Sequence, residues 1–264
     1  MAPQKVDISV DSQVSALLER ERPALVLNAA AYTAVDRAEV EREQAFAVNE
    51  TGPSLIARWC TANRAALIHV STDYVFDGAK AAAYVEEDAT APLGVYGESK
   101  LAGEVAVRGA LERHLILRTS WVFSAYSQNF VKTMLRLAGE RDELRVVADQ
   151  VGRPTAAADL ANAMLTLAER LAQGAELDWG TYHFAGAGST SWHGFAEAIV
   201  EEQAPLTGKK PRVTPITTAD YPTPARRPQS SVLDTSRFER TFGITPAPWR
   251  DGLRTVVREL VSAT

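Results

Sequence analysis

Cysteine is almost missing from this chain. Cys60 is the only one in 264 residues, so no internal disulfide can form and a reducing compartment is favoured. Basic charge is also scarce: 28 Lys and Arg stand against 33 Asp and Glu, a net charge of −5. A surface that neutralises nucleic-acid phosphates needs the opposite balance, so nucleic acid is not expected as a partner. There is no run of 18 apolar residues and therefore no candidate membrane span. The opening residues, Met1 to Asp7, lack the apolar core of a secretory signal, which points to a cytoplasmic setting. Glycine is late to arrive, the first being Gly52. What remains is 46% hydrophobic and 23% charged. That is ordinary globular composition, large enough for one or two domains with a real core.

Short apolar runs alternate with helical patterns. Leu25 to Ala29, after the turn-favouring Pro23, reads as a buried strand, as do the runs Ala66 to Ser71, Leu115 to Thr119 and Leu144 to Val147. Between them the spacing predicts helix from Asp36 to about Asn63, broken near Gly52-Pro53, then from Tyr96 to Leu111 and from Asn129 to Ala138. Strands alternating with helices imply βαβ connections and a mostly parallel sheet, the α/β class. After about residue 148 the character changes. Helices are predicted over Thr155 to Leu171, Ser191 to Glu202 and Pro248 to Leu260, and a Pro- and Thr-rich stretch from Pro211 to Pro228 reads as extended or loop.

The chemistry-bearing pattern is Tyr96-Gly-Glu-Ser-Lys100. On a helix, i and i+4 share a face, so phenol and ammonium point the same way. A nearby cation is expected to lower the Tyr pKa, and such a Tyr can exchange a proton with a carbonyl oxygen as hydride moves at the carbon. An isolated Tyr-x-x-x-Lys is as easily accidental. Its context is Ser71-Thr72-Asp73-Tyr74-Val75-Phe76, at the carboxyl end of a predicted strand, where open α/β sheets bind ligands. Thr72 could orient the Tyr96 hydroxyl, although Ser and Thr also end strands through local hydrogen bonds. At a second strand end, Asn28-Ala29-Ala30-Ala31-Tyr32-Thr33 offers small residues that let a flat ligand approach the backbone.

Together these segments resemble the extended short-chain dehydrogenase/reductases and, more narrowly, the dTDP-4-dehydrorhamnose reductase family. The resemblance also covers Arg118 to Val122, Asn129 to Leu137, Asp149 to Thr155 and Tyr221 to Pro228, in order over nearly the whole chain. It implies a Rossmann-like doubly wound parallel sheet with a smaller α/β substrate domain. The division expected is residues 1–148 for dinucleotide binding, with helix 155–172 packing on it, and 149–264 mainly for the sugar nucleotide. It implies an NAD(P)H-dependent oxidoreductase that reduces the C4 ketone of a dTDP-4-keto-6-deoxyhexose. In that assignment Tyr96 is the proton donor, Lys100 its pKa partner and ribose anchor, and Thr72 the third member. Ala30, Ala31, Tyr32, Thr33 and Val70 would line NADPH or NADH, with Asp7 and Ile8 near its adenine. Asp73, Tyr74 and Trp121 would contact substrate, and Arg226 (or its neighbour Arg227) the pyrophosphate. Relatives also suggest Mg²⁺ and a homodimer as expectations. The alternatives are a ketoreductase for another deoxysugar and a non-catalytic regulatory subunit on the same fold.

One element of that family pattern is not found. Such folds open with a strand, a Gly-rich turn and a helix whose N-terminus binds pyrophosphate, and no Gly-rich turn precedes Gly52. About one βα unit, roughly 30 residues, is missing from the pattern. Either the chain as given begins downstream of the true start, the favoured expectation, or it is a natural variant with an incomplete cofactor site; by itself it is expected to bind dinucleotide weakly. His69 reads as a core histidine, His114 as surface, His183 and His193 as structural, Cys60 as buried and inert, and the charge run Asp36 to Glu43 as a solvated helix face. No His/Cys/Asp/Glu set has metal-ligand spacing.

Overall fold

The computed structural model describes residues 5–262; residues 1–4, part of the segment read above for a secretory signal, and 263–264 lie outside the described residues. In chain order the elements are α1 (Asp11–Glu21), β1 (Leu25–Asn28), α2 (Val35–Ala38), α3 (Arg42–Phe46), α4 (Gly52–Asn63), β2 (Ala66–Thr72), α5 (Val95–Ala110), β3 (His114–Thr119), β4 (Val122–Phe123), α6 (Phe130–Glu140) and β5 (Glu143–Val147). They continue with β6 (Val151–Gly152), β7 (Thr155–Ala156), α7 (Ala157–Ala172), β8 (Gly180–His183), β9 (Thr190–Ser191), α8 (Trp192–Thr207), β10 (Arg212–Ile216), α9 (Ser236–Phe242) and α10 (Trp249–Ser262).

The main sheet is parallel throughout, in the order β1-β2-β3-β8. Its strands read as unbroken apolar runs because helices cover both faces. Alternate side chains divide between those faces. Leu67 and Ile116 pack with Val14, Leu18, Leu55, Ile56 and Val107 under α1, α4 and α5. Ile68, Leu115 and Leu117 pack instead with Leu160, Met164, Leu167 and Phe238 of α7 and α9. Burying each such side chain stabilises the fold by about 1.5–3 kcal/mol.

A second body of structure is built on the two-stranded parallel ladder β5-β10. Helices α6, α8 and α10 pack there around Phe123, Phe195, Ile199, Trp249 and Leu253. The chain crosses between the two bodies: β5 pairs forward with β10, while β8 returns to the main sheet.

Two sequence expectations change. The predicted break at Gly52-Pro53 is not a break. A π-turn over Ala47–Thr51 runs into α4, with the Gly52 N–H donating to the Ala47 carbonyl, and Pro53 is the second residue of α4; the shifted hydrogen-bond register of the π-turn lets the helix pass the proline. His114 is buried rather than surface: its Nδ1 lies 2.5 Å from the Leu111 carbonyl, and burial lowers its pKa.

Candidate active site

Strands β2 and β3 end side by side, with Thr72 paired in register to Thr119. A 3-10 turn, Asp73–Val75, follows β2; Thr72 Oγ1 accepts the Tyr74 N–H at 3.2 Å and donates to Asp73 Oδ1 at 3.0 Å. Helix α5 starts against this turn. Its first N–H group, on Val95, donates to Glu39 Oε1 at 2.9 Å, and the backbone there is so close that a Cβ at Gly97 would sit 2.2 Å from the Tyr74 carbonyl oxygen. Glycine is what lets α5 bring Tyr96 to the strand ends. The Tyr96 ring meets Tyr74 edge-on at 5.4 Å, and Thr72 is near enough to its hydroxyl to favour the phenolate.

One turn further along α5, Lys100 is buried. Its Nζ donates to the Val70 carbonyl at 2.8 Å and lies 3.4 Å from His69 Nε2. Burial lowers the Lys100 pKa to about 8, with Glu104 opposing. Burial pushes Tyr96 up to about 12, partly offset by Thr72 and reinforced by Asp73. The expected lowering by a nearby cation is therefore reversed: desolvation of the phenolate dominates, and Lys100 is not among the groups that act on it. A phenol that retains its proton is a proton donor. Burial likewise raises the Asp73 carboxyl to about 6. Asp73 Oδ2 and Thr119 Oγ1 are buried with no hydrogen-bond partner in the protein, two polar atoms at the strand ends suited to a hydroxylated ligand.

Three groups escaped sequence reading. His69 is a core histidine as expected, yet it also joins Lys100 to Asn28, whose Nδ2 is 3.1 Å from His69 Nδ1. Burial and Lys100 hold it well below the usual histidine pKa, so it is neutral. Asn49, fully buried in the π-turn, clasps the Tyr32 backbone through both its amide atoms and reaches Ser99 on α5. Beneath the site, Arg118 grips Glu104 through two bonds of 2.9 and 2.7 Å, and Ser71 donates to the same carboxylate. Only burial of an Asn or Glu distinguishes these residues, and burial is not written locally in a sequence.

A cavity of about 410 Å³ lies beside the second body, lined by Phe130, Val147, Gln150, Trp192, Tyr221 and Arg227 among others. Arg227 reaches Asp36 through its Nη2 at 2.8 Å, and its charge is felt at Tyr74. The run Asp36 to Glu43 is thus more than a solvated face: Asp36 anchors Arg227, Glu39 caps α5, and Glu41 accepts the Tyr32 hydroxyl at 2.6 Å. Trp121 follows β3 and stacks on Trp192, with centroids 3.5 Å apart.

The family model for the RmlD substrate binding domain matches residues 1–262. The chain belongs to that family. It is 47% identical to the dTDP-4-dehydrorhamnose reductase of Sinorhizobium fredii over 97% of its own length and 86% of that protein. Among solved structures it is similar to the dTDP-4-dehydrorhamnose reductase of Clostridium acetobutylicum, with a TM-score of 0.88, 37% identity and coverage of 96% of this chain and 87% of that one. The corresponding reductase of Bacillus anthracis, solved in complex with NADP, gives a TM-score of 0.87 and 38% identity over the same shares.

Within this RmlD-family chain, Thr72, Asp73, Tyr74, Tyr96 and Lys100 converge at the ends of β2 and β3. The loop Ala30 to Thr33 follows β1, fastened by Asn49 and by the Ala30 N–H to Asn28 Oδ1 at 3.2 Å. Val70, half-buried, offers its carbonyl to Lys100. Asp7 and Ile8 lie apart from this cluster. Ile8 lines an apolar groove on the outer side of β1 with Val14, Leu18, Val26 and Leu27, and Asp7 is exposed and bonded to Ser9. Arg226 is exposed and is not on the cavity wall, which Arg227 supplies instead.

For a nicotinamide cofactor the residues fit at one end. Lys100 donates one N–H to the Val70 carbonyl, and Ala29 and Ala30 are exposed just past the end of β1. The described residues contain no Gly-rich turn for the pyrophosphate. They also contain no group of three or more His, Cys, Asp or Glu side chains that could hold a metal ion, so no step is built on Mg²⁺. No described helix is long and apolar enough to cross a membrane.

Proposed function

We propose that this chain catalyses the NAD(P)H-dependent reduction of the C4 ketone of dTDP-4-dehydro-6-deoxy-L-mannose to dTDP-L-rhamnose. The observation that carries this reading is the convergence of Thr72, at the end of β2, with Tyr96 and Lys100 one turn apart on α5. The named reductases among its relatives support it over most of the chain.

When bound, NAD(P)H supplies the hydride. The chain's own residues manage the oxygen. Tyr96 stays protonated because burial raises its pKa, and it donates that proton to O4 as negative charge develops there. Thr72 holds the phenol in line and shares the hydrogen bonding to O4. Lys100 places a positive charge next to the site, where low dielectric strengthens it, and offers a further N–H to a cofactor ribose. Asp73 and Tyr74 meet the sugar, Trp121 offers it aromatic surface, and the cavity at Arg227 accepts the thymidine diphosphate, the guanidinium facing the diphosphate. The loop Ala30 to Thr33 and Val70 lie along the nicotinamide half, and Asp7 and Ile8 serve the adenine end. The main sheet thus serves the cofactor and the β5-β10 body the sugar nucleotide. A homodimer and a cytoplasmic setting belong to the same reading.

Incubation with NADPH and the dTDP-4-keto sugar should oxidise the cofactor and give a product whose NMR spectrum is that of dTDP-L-rhamnose. Tyr96→Phe should lower turnover by about 10²–10⁴-fold, the usual size of a general-acid contribution. Wild-type turnover in Tyr96→Phe would overturn the mechanism. A different product would place the chain with reductases of another deoxysugar.

A further inference from the structure

Trp121 is held in an unusual way. Its φ is +48°, in the left-handed region where a bulky side chain is rarely found without support from its surroundings. That support is visible. The Trp121 carbonyl accepts the Thr155 N–H at 3.3 Å, and β4, immediately after it, pairs with β7. One face of the indole is covered by Trp192, nearly parallel at 7° and 3.5 Å between centroids. The opposite face lies against Gly152, so tightly that a Cβ there would come within 2.4 Å of Cε2 and 2.7 Å of Nε1 and Cζ2.

Both neighbours are set by one small ladder. β6 pairs antiparallel with β9, with Gly152 opposite Thr190 and Val151 opposite Ser191. Ser191 then caps α8, accepting the Gly194 N–H at 3.0 Å, and Trp192 is the first residue of that helix. Phe130 packs on Trp192 at 4.6 Å. Trp192 and Phe130 both line the cavity that Arg227 also lines. A pair of stacked indoles is a rigid surface that costs little further entropy when a sugar is laid on it.

We infer that Trp192 is a positioning residue for the substrate: by stacking on Trp121 it fixes which side of that indole meets the deoxyhexose, so the pair acts as one sugar-binding wall. The inference rests on the reading above that Trp121 contacts the sugar. It assigns Trp121 an edge of the indole for that contact, since Trp192 occupies one face and Gly152 the other.

Titration calorimetry with dTDP and with dTDP-L-rhamnose separates the nucleotide from the sugar contribution. Trp192→Ala should lose the extra affinity that the rhamnose confers over dTDP, by roughly tenfold, the size of an aromatic-pair effect, in addition to any loss for dTDP itself, whose cavity Trp192 also lines. Trp192→Phe, which keeps an aromatic ring on Phe130, should recover most of the loss. Far-ultraviolet circular dichroism of the free protein should show a tryptophan exciton couplet in the wild type, absent from both variants and from Trp121→Phe. A full sugar increment in Trp192→Ala would overturn the inference. So would an equal loss for dTDP and dTDP-L-rhamnose in a folded variant, which marks general damage, or a wild type without the couplet. A wild type that shows the couplet but binds neither nucleotide would instead sink the substrate reading, and the positioning role with it.

Discussion

At the scale of the residue, burial decides the acid–base character of the site. It raises Tyr96 to about 12 and lowers Lys100 to about 8; both shifts favour the neutral form of the group concerned. For Tyr96 the neutral form is the one that can donate. For Lys100 the neutral form is the one that cannot stabilise a developing alkoxide. The sign of the pH dependence follows. Below pH 8 the amine is charged, and above it the charge is lost. kcat/KM for ketone reduction should therefore fall as pH rises through about 8, by about tenfold per unit. Lys100→Arg, whose guanidinium stays protonated, should be less active at neutral pH and show no such limb. The measurement is kcat/KM of both proteins across that range; a falling limb that persists in Lys100→Arg would assign it to another group.

Elements bring these residues together by close approach. The π-turn at Ala47–Thr51 holds Asn49, which holds the Tyr32 loop, and α5 must pass directly beneath it. A Cβ at Gly103 would lie 2.0 Å from the Asn49 carbonyl oxygen, while one at Gly109, six residues further along the same helix, would meet nothing within 4 Å. Gly103→Ala should destabilise the protein by about 1–3 kcal/mol through overpacking. Gly109→Ala should be neutral or stabilise it by up to about 1 kcal/mol, since alanine is the better helix former. Denaturant melts of the two variants test the contrast, and equal stabilities would mean that α5 can move away from the turn at no cost. In the sequence both glycines look alike inside a helical pattern. The helix itself was legible from its periodicity, with ends within a residue of Val95–Ala110. The continuous turn of chain through Gly52-Pro53 was not, because a proline breaks a regular α-helix interior, and the π-turn that lets the helix pass it is not written in the local period.

Across the whole molecule, the sheet ends at β1 on one side and at β8 on the other. Among the described residues β1 pairs only with β2, and Leu27 on it is 40% exposed, bordering the groove at Ile8, Val14 and Val26. An apolar strand edge is a template for association. Leu27→Lys should reduce self-association of the 264-residue polypeptide, read by light scattering over a concentration series; unchanged scattering would mean that this edge is not the surface through which copies meet. The same scale holds the Asp36–Arg227 pair, which joins residues 191 positions apart and so ties the loop after β1 to the cavity of the second body.

The sequence by itself determined the α/β class, the run of parallel strands and the placing of Tyr96 and Lys100 on one helix face, because strand burial, helical period and the i, i+4 spacing are local patterns that any fold must respect. Tertiary structure alone decided the rest. It made Arg227 rather than Arg226 the cavity's guanidinium, and put His69, read as a core histidine, between Asn28 and Lys100. It also reversed the expected shift of the Tyr96 pKa and set Trp192 on Trp121 across 71 positions of chain. In each case the physical reason is desolvation or contact between distant segments, and neither is defined until the chain has folded around the site.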